Sequence, residues 1–376
     1  MKIRKILVNS SLLAVLTAWL AFGLWANDKP RQPGDYLAQA RAMTGPGWPV
    51  STGQRPTTSG AIYLANLNGQ IAELKRLNAS QAENRFAPEL AKLLYHRFQL
   101  TGRLEDAESA LLLISGDSQK SHANADLISA QILMGFHEFD KALLALEQAE
   151  KNGAPKTETA AVRRAVSGAQ GADIQSKSDV SPTPENLVSQ AAAWVEQGRP
   201  DKASELLRMA QDQYIDSSPF TLAWIHVQQG IIFLDNQDYA TARQFFAAAN
   251  ERFPQYTLAA EHLAETELAL GNHEVAAILY RNVVEQSEHP EFYHQLSRAE
   301  ILLGNKEESQ QAALLAQQGY DQLTEEYPLM FADHAVGYYI DIGDRATAIS
   351  LAETNLEQRQ NRSAKLLLAT ARECCR

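Results

Sequence analysis

The sequence has little cysteine and fewer basic than acidic side chains. Only two of its 376 residues are cysteine, and both, Cys374 and Cys375, stand at the end of the chain. Neighbouring cysteines can pair with each other only through a strained ring, so a disulfide framework and a cysteine-rich metal site are excluded. The 45 acidic and 34 basic side chains give a formal net charge of −11. This balance argues against a nucleic-acid binder, which needs a basic surface to displace phosphate counterions.

The sequence also lacks the short motifs that mark common catalytic sites. It contains no His-Glu-x-x-His zinc motif, no Gly-x-Ser-x-Gly nucleophile turn, no glycine-rich phosphate loop and no Cys-x-x-Cys pair. We therefore expect a protein that has no catalytic residues and binds no metal or cofactor. An enzyme with an unrecognised site stays open as an alternative.

An uncharged run of 21 residues, from Ile6 to Ala26, follows three cationic side chains near the N-terminus. A helix needs about 20 apolar residues to cross a bilayer. The cations before the run predict a cytoplasmic N-terminus and an exported body. We expect residues 1–26 to be an uncleaved, single-pass anchor in the inner membrane, with the body in the periplasm. The alternative is a cleaved signal peptide, which would leave a soluble periplasmic protein. Residues 27–59, rich in Pro and Gly, are expected to form a tether.

Pairs of small residues twelve positions apart recur along the rest of the chain. Two helices that cross closely need small side chains where their backbones meet, and a Gly or Asn between the two members of a pair can end the first helix. The pairs are Ala130 with Ala142, Ala191 with Ala203, Gly230 with Ala242, Ala264 with Ala276 and Ser297 with Ser309, with looser pairs at Tyr95 with Ala107 and Val336 with Ala348. They predict seven helix-pair units, starting near Pro88, Ala123, Pro184, Ala223, Thr257, Pro290 and Leu329.

The unit that begins at Ala223 carries the most specific pattern. It has Gly230 at position 8, Ala242 at position 20, Ala249 at position 27 and Pro254 at position 32. This pattern resembles the tetratricopeptide repeat (TPR) family, whose 34-residue unit is a pair of antiparallel helices. The resemblance implies an all-α fold, a TPR-like superhelix of helix pairs behind the N-terminal transmembrane helix.

The spacing of the units divides the body into two parts. Residues 60–156 hold the N-terminal helices and two units. Residues 184–376 hold five units and a C-terminal helix over 363–372, which is expected to cover the open face of the last unit. The 27 residues between them, 157–183, are rich in Gly and Ser, so we expect a flexible insert, although residues 160–166 could extend as a helix.

The TPR resemblance also implies a concave groove, lined by positions 2, 5, 9 and 12 of each first helix. The groove of the last five units mixes apolar side chains with acidic ones, which predicts binding of a protein or peptide segment that carries Lys or Arg beside apolar anchors. The candidate partner-binding residues are Trp224, Val227, Ile231, Leu258, Glu261, Glu265, Leu268, His294 and Arg298. Coverage of these apolar residues by the superhelix itself, or by the tether, is the alternative.

Four polar groove positions could together bind a metal or respond to acid. They are Glu261, Glu265, His294 and Asp333. The alternative, which we expect, is a polar and solvated groove.

The chain as a whole resembles membrane-anchored TPR proteins of bacterial envelopes that assist assembly, secretion or maturation. The resemblance implies a non-enzymatic scaffold for a protein partner. A permanent accessory subunit of a membrane enzyme complex is the first alternative. Residues 32–376 carry a formal charge of −15, so the body is expected to be soluble and to avoid anionic lipid.

Overall fold

The computed structural model describes residues 56–80, 85–114, 123–172, 183–287 and 289–373. These residues form 17 helices and no strand, so the predicted all-α class is confirmed for them. The expected anchor at 6–26, most of the tether and the two cysteines lie outside the described residues. Within the described ranges, no helix has the length and hydropathy that a membrane crossing requires.

Each of the seven predicted units is a pair of consecutive helices that pack on each other. A short turn joins the two helices of each unit, so they run antiparallel. The first three pairs are α2 (Ala87–Thr101) with α3 (Leu104–Ile114), α4 (Ala123–Gly135) with α5 (Phe139–Lys151), and α7 (Pro184–Glu196) with α8 (Pro200–Gln213). The last four are α9 (Pro219–Asp235) with α10 (Tyr239–Arg252), α11 (Thr257–Ala269) with α12 (His273–Gln286), α13 (Pro290–Leu303) with α14 (Lys306–Glu326), and α15 (Pro328–Asp341) with α16 (Arg345–Gln358). The fold is therefore TPR-like.

The small residues lie where the two helices of a unit cross, as the spacing predicted. Ala242 is fully buried, and a Cβ added to Gly230 would lie 2.5 Å from the ring of Phe246. In the unit of α13 and α14, the hydroxyl oxygens of Ser297 and Ser309 are 3.1 Å apart. A larger side chain at these crossings would force the helices of the unit apart.

The turn residues follow the prediction in some units and depart from it in others. Gly102 and Gly304 end their first helices with left-handed φ values of 67° and 84°. In two units without a glycine at the last turn position, His137 and Gln237 adopt this conformation, with φ of 57° and 60°. The hydrogen bonds that close the helix end impose the left-handed residue there, even though its intrinsic cost is higher than for glycine.

Part of the expected flexible insert is a packed helix. Residues Lys156–Ala169 form α6, which lies against α5 and α4. Thr159, Val162 and Val166 are spaced on one helical face and are all buried. That apolar face joins the core of the second unit, which is why residues 156–169 fold despite the Gly and Ser around them. Residues 173–182 lie outside the described ranges.

Two further helices stand at the ends of the array. Helix α1 (Gly60–Ser80) packs on α2, and helix α17 (Arg362–Glu373) packs on α16 and α15. Leu367, Leu368 and Ala371 of α17 are buried in the last apolar cluster. The prediction of a terminal helix that covers the last unit is confirmed.

The first part of the chain, residues 56–172, runs along the C-terminal units in the same order. Here we call residues 56–172 the N-terminal segment. Near its start, the backbone N–H of Thr58 donates to the Ser217 carbonyl at 2.8 Å. Near its end, the Gln360 N–H donates to the Gln170 carbonyl at 3.1 Å. Between these points one apolar cluster contains side chains of both parts, so the two parts share a core.

We expect Ala242→Leu to lower the free energy of unfolding by about 1–3 kcal/mol, because the added atoms have no space at the α9–α10 crossing. The control is Ala240→Leu, since Ala240 is exposed on the same helix and should change stability by no more than about 0.5 kcal/mol. Urea unfolding followed by circular dichroism measures both. Equal stabilities of the two variants would show that the crossing is loosely packed.

Candidate functional site

The nine candidate partner-binding residues lie on α9, α11 and α13, and most of them are buried. Two of the nine, Leu258 and Arg298, are partly exposed. The buried members, with their exposed fractions, are Val227 (0%), Ile231 (3%), Glu261 (4%), Leu268 (6%), Glu265 (8%), His294 (8%) and Trp224 (9%). The expectation that this apolar surface is open to a partner is therefore wrong for the described structure.

The N-terminal segment covers this surface. We call the side of α9, α11, α13 and α15 that carries the predicted groove positions the inner face. Helix α1 packs on α9, and helix α2 packs on α11. Val227, Ile231 and Leu268 share one apolar cluster with Leu67 and Leu94 of these covering helices. The alternative interpretation, in which the array covers its own apolar residues, is the one that the structure shows.

Aromatic and polar contacts follow the whole seam between the N-terminal segment and the later units. The rings of Tyr63 and Phe253 are 5.8 Å apart, with an edge-to-face geometry. Further along, the ring of Phe136 lies 5.4 Å from that of Tyr327, and the Tyr327 hydroxyl donates to a Glu108 carboxylate oxygen at 2.7 Å. Aromatic pairs of this geometry stabilise beyond their buried area, so the seam is a specific interface.

A histidine between two carboxylates lies in the middle of the inner face, on α11. The Nδ1 atom of His262 is 2.9 Å from a Glu265 oxygen and 3.1 Å from a Glu261 oxygen. Burial alone would lower the pKa of His262, but these carboxylates raise it to about 9. Burial also raises the pKa of Glu261 to about 8, against the opposing charge of His262. The sequence prediction included both glutamates and missed the histidine between them.

A second polar group joins three helices deeper in the molecule. The Nδ1 atom of His334 lies 3.0 Å from a Glu291 oxygen. Arg359 donates to an Asp333 oxygen at 2.6 Å, and both of these side chains are almost fully buried. Burial would raise the pKa of Asp333, but His334 and Arg359 hold it below its ordinary value. Burial lowers the pKa of His137, on the N-terminal segment, to about 4. The His137 imidazole, which lies beside this network, is therefore neutral near pH 7.

The four residues predicted to form one metal or acid-sensing cluster separate into different groups. Glu261 and Glu265 meet at His262, whereas Asp333 pairs with Arg359. His294 lies 3.0 Å from an Asp341 oxygen. Among the described residues, Glu261, His262 and Glu265 are the one group of three whose metal-ligand atoms all lie within 4.8 Å of one another.

The two histidines that the sequence prediction omitted share one feature of position. His262 and His334 each stand one residue beyond position 5 of their first helices, in the fifth and seventh units. That position was not assigned to the groove. At this position His262 is buried and His334 is partly buried, and both histidines have carboxylate partners.

Comparison with solved structures gives similarity to helical-repeat proteins at low sequence identity. Human IFIT1, in a dimer with PPP-AAAA, is 12% identical with a TM-score of 0.47, over 83% of this chain and 79% of that one. PilF of Pseudomonas aeruginosa is 14% identical with a TM-score of 0.32, over 62% and 90%. The C-terminal part of a TPR protein of Cytophaga hutchinsonii is 11% identical with a TM-score of 0.33, over 75% and 99%. No protein-family model and no curated protein matches the sequence.

We expect Gly60→Ala to destabilise the protein by about 1–3 kcal/mol, because the new methyl group would overpack the seam. A Cβ at residue 60 would lie 2.8 Å from the backbone Cα of Phe253. Gly69 of the same helix has open space at this position, so Gly69→Ala should stabilise by about 0.5–1 kcal/mol. Urea denaturation of the two variants measures the difference. If both are stabilised alike, α1 does not pack against Phe253.

The free energy of unfolding should fall as the pH rises from 6.5 to 9. Burial alone would lower the pKa of His334, but Asp333 and Glu291 raise it to about 9, against the opposing charge of Arg359. The folded protein therefore keeps a proton that the unfolded chain releases near pH 6.5. A raised folded pKa gives stability that is full below pH 6.5 and is lost as the pH passes 9, on the order of 3 kcal/mol for this residue. Urea titrations at several pH values measure it, and a flat or rising profile would contradict the assignment.

Proposed function

We propose that this chain is a non-enzymatic scaffold that binds a protein partner and is held at a membrane by residues 6–26. The uncharged 21-residue run behind three cations supports the anchor. The stacked helix pairs support the scaffold, since such arrays present extended surfaces to partners. The proposed partner surface lies at the C-terminal ends of the first helices. It shares only Ile301, position 12 of its unit, with the predicted groove, whose apolar residues on α9 and α11 are buried against the N-terminal segment.

An exposed apolar row on three successive units carries the proposal. Each residue of the row stands where a first helix ends, and the first helices of successive units, α11, α13 and α15, pack side by side. The row therefore runs along one edge of the array, and we call it the edge face. Its members, with their exposed fractions, are Leu270 (38%), Ile301 (51%), Leu302 (50%) and Ile342 (53%). A contiguous exposed apolar patch is typical of an interaction site.

The charges beside the edge face favour a basic partner segment. The exposed acidic side chains next to it are Glu307 and Glu308, in the first turn of α14, and Asp344, at the start of α16, with Lys306 and Arg345 as the nearby cations. Asp341 is 35% exposed, at 3.8 Å from Arg298. With residues 32–376 at a formal charge of −15, a segment that carries Lys or Arg beside apolar anchors would be steered to this edge. A permanent accessory subunit would use the same edge face and differ only in the lifetime of the complex.

Photo-crosslinking in intact cells tests the edge face. A photoreactive amino acid at Ile301 or Ile342 of the full chain should give one discrete adduct, identified by mass spectrometry. Leu314 is the matched control, because it is equally exposed, at 54%, but lies on the second helix α14. Position 314 should give no such adduct. Adding Ile301→Glu to the chain labelled at 342 should reduce the adduct at least 10-fold, since a carboxylate replaces a buried apolar contact.

Two outcomes would contradict the proposal. The same adduct at the same yield from position 314 would place the partner elsewhere, and an unchanged yield after Ile301→Glu would show that the apolar row is not used. A partner that stays bound to the uncrosslinked chain through alkaline washing and purification in detergent would instead be a permanent subunit of a complex.

A further inference from the structure

Three donor atoms on α11 converge on one point of the inner face. The Nδ1 atom of His262 lies 2.9 Å from a Glu265 oxygen and 3.1 Å from a Glu261 oxygen. The ligand atoms of all three residues lie within 4.8 Å of one another. The two glutamates are four residues apart, so both side chains lie on one face of the helix, and the histidine completes the triangle.

The spacing of these atoms matches one face of a metal coordination sphere. A metal–ligand distance of about 2.1 Å places adjacent ligands about 3.0 Å apart in an octahedral site and about 3.4 Å apart in a tetrahedral one. The two separations from His262 Nδ1, 2.9 Å and 3.1 Å, agree with the first value and need only a few tenths of an ångström to reach the second. The ligand oxygens of Glu261 and Glu265 lie within 4.8 Å of each other. An ion could therefore bind with small side-chain movements.

The surroundings of the triangle hold an unused polar group and excess negative charge. The Tyr280 side chain is fully buried, and its hydroxyl has no hydrogen-bond partner among the described residues. Burial raises the pKa of this hydroxyl, and the charges of Glu261, Glu265 and Glu291 raise it further. Buried polar groups are rarely left unpaired, and a water bound to an ion would give the hydroxyl an acceptor.

The site also keeps a path to solvent. The side chains of Glu261, His262 and Glu265 are 5%, 11% and 10% exposed. The backbone around them is fixed by the helix, and the Thr266 hydroxyl donates to the His262 carbonyl at 2.7 Å. A preformed and slightly open set of donors lowers the cost of arranging ligands around an ion.

We propose that Glu261, His262 and Glu265 bind one divalent transition-metal ion of the zinc class. One imidazole with two carboxylates is a donor set for Zn²⁺, Mn²⁺ or Fe²⁺, whereas Mg²⁺ and Ca²⁺ prefer oxygen ligands alone. Three protein ligands leave at least one further position, which water fills. The ion replaces the proton that otherwise holds His262 between the two carboxylates. This inference is independent of the edge face.

Zinc titration of the full chain tests the site. The protein carries Cys374→Ser and Cys375→Ser, which removes the thiols, and is first dialysed against a chelator. Isothermal titration calorimetry with ZnCl₂, checked by elemental analysis, should give one Zn²⁺ per chain. The isosteric change Glu265→Gln and the change His262→Ala should each weaken binding at least 10-fold. MgCl₂ at the same concentration should neither bind nor compete.

The matched control is Asp341→Asn, which removes the carboxylate partner of another inner-face histidine, His294. It should bind Zn²⁺ like the parent chain. Circular dichroism and urea unfolding confirm that each variant folds, and Co²⁺ absorption on the parent and on Glu265→Gln gives a second readout of the ligand set. The proposal is overturned if less than a tenth of an equivalent of Zn²⁺ binds, if Glu265→Gln binds as tightly as the parent, or if Asp341→Asn loses binding equally.

Discussion

The apolar inner face of the last four units must be covered, and most of the structure follows from how the chain does this. Side chains such as Val227 and Ile231 would leave a large apolar surface in water if the units stood alone. The N-terminal segment removes this surface from solvent by packing α1 and α2 against α9 and α11. In most repeat arrays each unit contacts only its neighbours. In this chain the packing of α1 and α2 adds a core that joins distant parts of the sequence.

Covering the inner face also buries charge. Arg359 and Asp333 are almost fully removed from solvent and bind each other at 2.6 Å. A buried ion pair of this kind gains little net stability, but the loss of one partner is costly. Such pairs therefore require one arrangement of the covering helices. The Nδ1–H of His137, on the N-terminal segment, donates to the Leu329 carbonyl oxygen at 3.1 Å and ties the same place to the early units.

With the inner face used internally, the exposed apolar residues at the ends of the first helices become the available partner surface. The residues of the edge face contribute nothing to the core, yet they recur at the same place in three successive units. The proposed metal site uses Glu261, His262 and Glu265, none of which belongs to the edge face. The two proposals therefore rest on different residues of the same array, and either can fail without the other.

The helix pairs could be predicted from the sequence because their signals are local. The small residues at Gly230 and Ala242, and the terminal helix with Leu367 and Leu368, depend on contacts within a unit or with its neighbour. The cover of the inner face could not be predicted, because the contact of Tyr63 with Phe253 joins residues far apart in the sequence. The role of His262 was also missed, since its ring is buried against Phe246 of the preceding unit. Helix α6 was predicted only in part, as a possible extension over residues 160–166, because its apolar face has few large residues.

Disulfide trapping across the seam tests the cover of the inner face most directly. The Thr58 N–H and the Ser217 carbonyl are 2.8 Å apart, so cysteines at positions 58 and 217, in a chain with Cys374→Ser and Cys375→Ser, should be close enough to pair. The control pair is Ser297→Cys with Ser309→Cys, whose hydroxyls are 3.1 Å apart within one unit. The account predicts that mild oxidation forms both disulfides in the folded full chain, at similar rates and with helical content unchanged. Formation of the control disulfide alone would show that the N-terminal segment does not lie along the later units.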